Sequence, residues 1–156
     1  NSLAANDVAA VYGAYKPYRD TLIGGGVHVH ELRAQGHPDS SLFGSSGASL
    51  HTKAYSVDDA RGFIGSFNLD ARSAYLNTEM GVMFDDADLA KAVRDEYLRL
   101  SGPELSYWMH LDKNGNPRWL DRAAKPPSMM STEPDTGRWQ RISASAISWL
   151  PVESQL

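Results

Sequence analysis

The chain has 156 residues, of which 42% are hydrophobic and 22% charged, proportions that exclude bulk disorder and allow one globular domain with a buried core. With 15 basic and 19 acidic residues its net charge is −4, which excludes a global positive field that would attract nucleic acid or anionic lipid. Cysteine is absent, which excludes disulfide bonds and thiolate metal sites.

Membrane-spanning and targeting segments are not predicted. No apolar run approaches the roughly 18 residues that a helix needs to cross a bilayer. The start at Asn1-Ser2-Leu3 lacks the charged and apolar regions of a signal peptide. It also lacks an initiator methionine, so we expect the sequence to be a piece of a longer protein.

The first third of the chain predicts helices followed by a strand. Apolar residues at helical spacing follow Asp7, and Pro17 predicts a break or kink with a second short helix beginning there. Glycines at 24–26 tolerate the left-handed backbone that ends a helix. Alternation of apolar and polar residues over 27–32 predicts a half-buried strand, and the Gly, Ser and Pro content of 36–49 predicts a long loop.

The middle of the chain predicts a β-hairpin, a further strand and a helix. Residues 50–57 and 61–66 have strand-like composition, and the intervening Asp58-Asp59-Ala60 suits a tight turn. Residues 79–84 predict another strand, and apolar spacing over 86–100 predicts a helix. Helices that alternate with strands predict an α/β fold.

The last third of the chain predicts a β-hairpin, an irregular segment and a terminal helix. Residues 107–111 and 118–120 are expected to pair across Asn114-Gly115. Residues 125–137 predict irregular structure, and 139–150 a weakly amphipathic terminal helix.

The predicted hairpin carries a compact set of polar residues, which in chain order are His51, Lys53, Asp58, Ser66 and Asn68, with Gly65 directly before Ser66. Alternate residues of an extended strand share a face, so we expect His51 and Lys53 to project together and the hairpin to return Asn68 beside them. An ammonium and an amide stabilise negative charge on the non-bridging oxygens of a phosphodiester, while a neutral imidazole nitrogen can attack phosphorus. The sequence therefore predicts phosphodiester chemistry.

A nucleophilic histidine needs an acceptor on its far ring nitrogen, so that the attacking nitrogen carries the lone pair. Glu79, on the next predicted strand, is the candidate, and we expect a His51 ring nitrogen within hydrogen-bond reach of its carboxylate. Ser66 is placed to hold that carboxylate from behind. Asp58, at the hairpin turn, is interpreted as structural.

The stretch from His51 to Asn68 resembles the HxKxxxxD…GSxN signature of the phospholipase D superfamily. The next residues along the chain are similar to the second half of bacterial cardiolipin synthases, in the runs Asn68-Leu69-Asp70-Ala71-Arg72-Ser73 and Leu76-Asn77-Thr78-Glu79. The resemblance implies a phospholipase D-like mixed sheet flanked by helices, one half of a pseudo-twofold pair. It also implies a catalytic half-domain over residues 1–105 and a C-terminal extension over 106–156.

The resemblance further implies the roles of the site residues. A covalent phosphohistidine would form, with the phosphoryl oxygens held by Lys53 and Asn68. One histidine of the pair, His51 or its partner, would be the nucleophile and the other the general acid for the leaving alcohol. Glu79, supported by Ser66, would orient the imidazole. Neither a metal nor a cofactor is implied, and Asp58 and Gly65 would be structural members of the motif.

The function implied by the resemblance is transfer of a phosphatidyl group to a lipid alcohol at the bacterial inner membrane, to which the longer protein would attach. Phosphatidylglycerol is the expected substrate, with phosphatidylethanolamine as a second candidate. Because the family pairs two motifs and this chain has one, the expected partner is a second phospholipase D-like half or a second copy of the chain.

Two other interpretations of the function stay open. The first is hydrolysis of lipid or nucleic-acid diesters, because water can replace the alcohol at the same intermediate. The net charge of −4 weighs against nucleic acid, for which a basic track is expected. The second is a non-catalytic half-domain that keeps the motif and serves in assembly.

Overall fold

The structure, a computed structural model, describes residues 1–5, 9–34, 51–68 and 71–147. In chain order its elements are α1 (Ala9–Gly24), β1 (His30–Leu32), β2 (Lys53–Val57), β3 (Arg61–Gly65), α2 (Ala71–Tyr75), β4 (Gly81–Asp85), α3 (Ala87–Leu100), β5 (Ser106–Leu111), β6 (Pro117–Asp121), β7 (Ser128–Met130) and α4 (Arg138–Ile147). The predicted α/β class is confirmed.

The elements fall into two compact units. Unit 1 contains the described residues up to 34 and from 101 onward, with an antiparallel sheet in the order β1-β5-β6-β7 and the helices α1 and α4. Unit 2 contains the described residues from 51 to 100, with an antiparallel sheet in the order β2-β3-β4 and the helices α2 and α3.

Helix α1 is continuous, so the predicted break at Pro17 and the separate second helix are wrong. Proline lacks a backbone N–H, and inside a helix it costs about 3 kcal/mol. Packing offsets that cost, since Tyr12 before the proline and Arg19 after it are each 1% exposed. Local sequence alone does not reveal these buried contacts.

The end of α1 confirms the role predicted for the three glycines. Gly26 has φ +91°, a left-handed conformation that suits a residue without Cβ. The Val27 N–H donates to the Leu22 carbonyl oxygen at 3.0 Å, and the Gly26 N–H to that of Ile23 at 3.0 Å. These two bonds form a Schellman motif, which satisfies the last helical carbonyls.

The core of unit 1 lies between its sheet and α1. Trp119, Met109 and Tyr107 are 1–3% exposed, and Ile23 from α1 and Met130 from β7 pack against them. Alternate strand residues bring these side chains to one face of the sheet.

A buried polar network completes this core. Glu31 is 1% exposed and accepts hydrogen bonds from the Trp119 indole at 2.8 Å and from the Tyr12 hydroxyl at 3.2 Å. The guanidinium of Arg19 lies 3.7 Å from the Glu31 carboxylate and supplies the opposite charge. A buried charge needs such partners to be tolerated.

The hairpin predicted across Asn114-Gly115 is confirmed by the pairing of β5 with β6. Gly115 has φ +80°, and the Asp112 carboxylate accepts the backbone N–H groups of Asn114 and Asn116 at 2.9 Å. The interpretation of 125–137 as wholly irregular is wrong, because β7 lies within it. This strand of three residues joins the sheet edge through backbone pairing with β6, which requires no alternating pattern.

The hairpin predicted in unit 2 is confirmed, and the backbone conformation of its turn explains why two aspartates occupy it. Asp58 and Asp59 have φ 53° and 51°, and the Ala60 N–H donates to the Val57 carbonyl oxygen at 3.1 Å. Two successive left-handed residues match the right-handed twist of the flanking strands. Arg94 on α3 donates to the Asp59 carboxylate at 3.0 Å and ties the turn to the helix.

The remaining predicted elements agree with the structure in kind and differ at their ends. The strand predicted over 27–32 is limited to β1, and the helix predicted over 86–100 begins at Ala87, where the Asp86 carboxylate caps the Leu89 N–H at 2.9 Å. The predicted loop 36–49 and the end of the terminal helix lie outside the described residues. In the part of the chain that is described, no helix is long and apolar enough to cross a membrane.

Candidate active site

His51 and Lys53 lie at the start of β2 in unit 2. The strand was predicted from residue 50 but begins at Lys53, which pairs with Gly65, the last residue of β3, so that β3 offers no partner to His51. The Lys53 ammonium donates a hydrogen bond to the His51 carbonyl oxygen at 2.8 Å. His51 itself is exposed, so its imidazole is accessible from solvent.

Ser66 and Glu79 are joined directly, as the sequence predicts. The Ser66 hydroxyl donates to the Glu79 carboxylate at 2.5 Å and accepts the Met80 backbone N–H at 3.0 Å. The Ser66 N–H in turn donates to the Met80 carbonyl oxygen at 2.8 Å. The chain around Ser66 is thus fixed to the segment that carries Glu79.

Asn77 is a supporting residue that the sequence reasoning missed. Its side-chain amide donates to the Glu79 carboxylate at 3.2 Å, two residues away. A polar residue just before an acidic one is common in loops, so the sequence held no specific signal for this contact. The two donors occupy different carboxylate oxygens, Ser66 on Oε2 and Asn77 on Oε1.

Glu79 is held in its charged form. The hydrogen bond from Ser66, followed by those from Ser73 and Asn77 and the positive charge of Lys53, lowers the pKa of Glu79 below its ordinary value. Hydrogen bonds to a carboxylate favour its ionised state. At neutral pH the group is therefore an acceptor and a negative charge.

The structure does not bring every predicted residue into contact. Among the described residues, the hydrogen bonds of the Glu79 carboxylate come from other donors than His51, so that contact stays a prediction. Asn68 is exposed and lies two residues beyond Ser66, and Asp58 lies in the hairpin turn at the far end of β2.

Gly65 has a clear steric role. A Cβ atom built there would lie 2.5 Å from the Met80 carbonyl oxygen, 2.5 Å from the Phe63 ring and 2.7 Å from the Gly81 Cα. Distances under 3 Å are not tolerated in well-packed proteins. Only glycine lets β3 and β4 approach closely enough for Ser66 to reach Glu79.

Within residues 1–5, 9–34, 51–68 and 71–147, no group of three or more His, Asp or Glu side chains has the geometry to hold a metal ion.

Comparison with known proteins gives consistent results. Residues 3–101 match the family described as cardiolipin synthase, PLD-like domain. Cardiolipin synthase C of Escherichia coli is 41% identical over 158 residues, which is 98% of this chain and 33% of that protein. Cardiolipin synthase A of Salmonella arizonae is 34% identical over 100 residues, 62% of this chain and 18% of that protein.

An uncharacterized protein of Helicobacter pylori is 45% identical over 96 residues, 60% of this chain and 19% of that protein. The chain thus spans a third or less of the length of these relatives. No solved structure matches it significantly. With the family match covering most of its length and the motif residues in place, the chain belongs to the cardiolipin synthase family of phospholipase D-like proteins.

Proposed function

We propose that this chain supplies one half of a phospholipase D-type active site and that the whole protein transfers a phosphatidyl group to a lipid alcohol. The observation that best supports this proposal is a charged Glu79, held by Ser66 and within electrostatic reach of Lys53, in a member of the cardiolipin synthase family. The half-domain over 1–105 and the extension over 106–156 are part of the proposal, supported by a family match that ends at 101.

In the first step, a ring nitrogen of His51 attacks phosphorus of the donor lipid. The new bond joins nitrogen to phosphorus, and the bond from phosphorus to the donor's alcohol breaks. A second imidazole gives its proton to the leaving alcohol. The phosphatidyl group is then carried on His51.

In the second step, an acceptor alcohol gives its proton to that second imidazole and attacks phosphorus. The nitrogen–phosphorus bond breaks, which restores His51. With phosphatidylglycerol as both donor and acceptor the products are cardiolipin and glycerol, and with phosphatidylethanolamine as donor they are cardiolipin and ethanolamine.

Glu79 would position His51 by accepting the N–H of its far ring nitrogen. Oε2 of Glu79 accepts from Ser66 and Oε1 from Asn77, and Ser73 also donates to this carboxylate. Because a carboxylate has about four lone-pair sites, acceptor capacity remains. Catalytic hydrogen bonds often form only when substrate is bound, which fits the exposed His51. The ionised carboxylate would also stabilise the imidazolium that forms.

Lys53 and Asn68 would hold the non-bridging phosphoryl oxygens. The Lys53 ammonium has three N–H donors and uses one on the His51 carbonyl oxygen, which leaves two for substrate. Asn68 is exposed and has no competing hydrogen bond with another described side chain. A positive charge and an amide aimed at developing negative charge lower the barrier.

The second imidazole would come from another phospholipase D-like half, or from a second copy of the chain related by a twofold axis. One histidine cannot stand on both sides of phosphorus during an in-line displacement. Apolar side chains of unit 2 that are 65–84% exposed support a covering partner, namely Tyr75, Leu76, Met80, Val82 and Met83. Because the substrates are bilayer lipids, we also propose that the whole protein works at the bacterial inner membrane.

The test is the product profile of the whole protein with His51→Ala, read by mass spectrometry of lipids. We expect cardiolipin formation to fall by about 1000-fold or more, because the nucleophile is removed. Thr52→Ala, at the adjacent exposed position, should retain activity, and the thermal unfolding of both variants should match the wild type. Retained turnover in the His51 variant would exclude it from the chemistry, and phosphatidic acid as the sole wild-type product would identify a hydrolase.

A further inference from the structure

The unit 1 sheet has a second face, opposite to the core, where basic and aromatic side chains collect. The registers place His30 opposite Trp108, and Trp108 opposite Leu120. Residues two positions apart on a strand share a face, so His110 on β5 and Arg122 just past β6 lie on the same side. Because β1, β5 and β6 are neighbours in one sheet, these side chains form one continuous surface.

The indole of Trp108 is the centre of this surface. The ring centroids of His28, His30 and His110 lie 5.6, 5.9 and 4.5 Å from that of Trp108. The guanidinium carbon of Arg122 lies 5.7 Å from the same indole centroid. We call these five residues the Trp108 cluster.

Two nitrogen atoms of the Trp108 cluster are buried and have no hydrogen-bond partner among the described residues, Nε of Arg122 and Nε2 of His110. An arginine Nε always carries a hydrogen, and a neutral imidazole carries one on either Nδ1 or Nε2. Leaving such a donor unpaired costs about 1–3 kcal/mol, so native proteins nearly always provide a partner. Both atoms would be satisfied by an acceptor from outside the chain.

The charge of Arg122 is also uncompensated. Its one hydrogen bond is to the Ser101 carbonyl oxygen, and it forms no ion pair with any described carboxylate. Arg118, on the same face and opposite His110, differs in being paired with the Asp112 carboxylate at 2.6 Å. The two arginines therefore form a natural comparison of a free and a paired guanidinium.

Positive charges act on His30 from several neighbouring residues. Burial, followed by the positive charges of Arg122, His28 and His110, lowers its pKa. Strand β7, which pairs with β6 at the far edge of the sheet, contributes the uncharged Met129 to the same face. A bound anion would relieve this repulsion.

We propose that the Trp108 cluster binds a phosphate-class oxyanion, either free or as the phosphate of a phospholipid headgroup. Arg122 provides the permanent charge and the donor Nε, and His110 provides a second donor in the tautomer that carries the ring hydrogen on Nε2. This site lies in unit 1 and uses neither His51 nor Lys53, so it is additional to the proposed active site.

The experiment uses the full chain carrying His51→Ala, which removes the proposed active-site nucleophile. Histidine ring signals are followed by NMR during titration with dimethyl phosphate, whose single charge is constant between pH 6 and 8. Ionic strength is held at about 0.1 M with chloride. We expect the ring signals of His30 and His110 to shift as dimethyl phosphate binds.

A second arm distinguishes a free ligand from a lipid. Vesicles of phosphatidylglycerol in phosphatidylcholine are compared with vesicles of phosphatidylcholine alone. Arg122-dependent binding of dimethyl phosphate assigns the site to a free diester or headgroup, and Arg122-dependent binding of the anionic vesicles alone assigns it to the lipid surface. If neither probe binds, the proposal is wrong and the cluster serves only in packing.

The variants test the residue assignment. Arg122→Gln should weaken binding by about tenfold or more, while Arg118→Gln should change it by less than about threefold. Equal loss in both variants would mean that only general charge matters, and would overturn the site.

Arg122→Lys keeps the charge without Nε and decides the question if the Gln variant does not fold. We expect its binding to be at least about threefold weaker than wild type, and unchanged binding would refute the role of Nε. Cardiolipin formation is measured separately with His51 intact, so a failure here is distinct from a failure of the proposed function.

Discussion

Unit 1 buries its large apolar side chains, whereas unit 2 leaves many of its own in contact with solvent. Trp119 and Met109 in unit 1 are 1% and 2% exposed, while Met80 and Met83 in unit 2 are 82% and 77% exposed. In unit 2 the described contacts are mostly strand pairing, close glycine packing and short-range hydrogen bonds. Among the described residues, the unit that carries the motif therefore has no large apolar core.

This difference indicates that stability and chemistry lie in different parts of the chain. The free energy of unfolding should depend mainly on unit 1, because buried apolar area is the dominant favourable term in folding. The geometry around Lys53 and Glu79 depends instead on a hairpin and a few polar contacts. We expect unit 2 to gain stability from whatever covers its exposed side chains.

The strongest way to break the comparison is Trp119→Ala in unit 1. We expect it to lower the free energy of unfolding by about 3–5 kcal/mol, because it opens a cavity and removes the indole donor from buried Glu31. Chemical denaturation of the chain measures this. Trp139→Ala, at a tryptophan that is 82% exposed, is the control and should cost less than about 0.5 kcal/mol. If the two tryptophan variants unfold alike, the core of unit 1 does not determine stability and the comparison fails.

A smaller effect is expected from Asp121, whose pKa is lowered from its ordinary value of 3.8, first by hydrogen bonding to Arg33. Its carboxylate accepts from the Arg33 guanidinium at 2.5 Å. A lowered folded-state pKa stabilises the protein above the unfolded-state value, and this contribution is lost as the pH falls through the folded-state value. Asp121→Asn should therefore remove about 1 kcal/mol at pH 7 and flatten the decline of stability below about pH 4.

Chemical denaturation between pH 2 and 7 tests this prediction. It must resolve a difference of about 1 kcal/mol in the free energy of unfolding between the variant and the wild type. Asp95→Asn, at an exposed ion pair with Lys91 on α3, is the control and should follow the wild-type pH dependence. If the Asp121 variant loses stability at acid pH as the wild type does, the ion pair with Arg33 does not contribute to the free energy of unfolding.

The smallest effect on stability is expected from Met83→Lys on the exposed sheet of unit 2. It should change the free energy of unfolding of the chain by less than about 0.5 kcal/mol, while reducing self-association in sedimentation because it interrupts an apolar surface. Met109→Lys, at a buried methionine, should destabilise by several times more. Strong destabilisation by Met83→Lys would mean that unit 2 has a core of its own.

Much of the fold could be predicted from local sequence because its signals are local. The Asp58-Asp59 turn, the Gly26 helix end and the Asn114-Gly115 hairpin each need only a few neighbouring residues to specify them. The continuity of α1 through Pro17 could not be predicted, because it depends on side chains buried by the rest of unit 1. Strand β7 was missed for a similar reason, since an edge strand can form by backbone pairing alone.

The candidate site shows the same limit. The motif spacing of His51, Lys53 and Ser66 is visible in the sequence. The contact between Ser66 and Glu79 was expected from their placement on neighbouring predicted strands. The support that Asn77 gives to Glu79 was not readable, because it depends on how a short loop folds back. The contact of His51 with Glu79 remains a prediction.

The length of the turn at Asp58 and Asp59 has a consequence for the chemistry. Successive strand residues point to opposite sides, so a turn longer or shorter by one residue would change the pairing of Lys53 with Gly65. The Lys53 ammonium would then lie on the opposite side of the sheet from the proposed phosphoryl site. Asp58 and Asp59, which adopt an uncommon backbone conformation, thus determine on which side of the sheet the Lys53 ammonium lies.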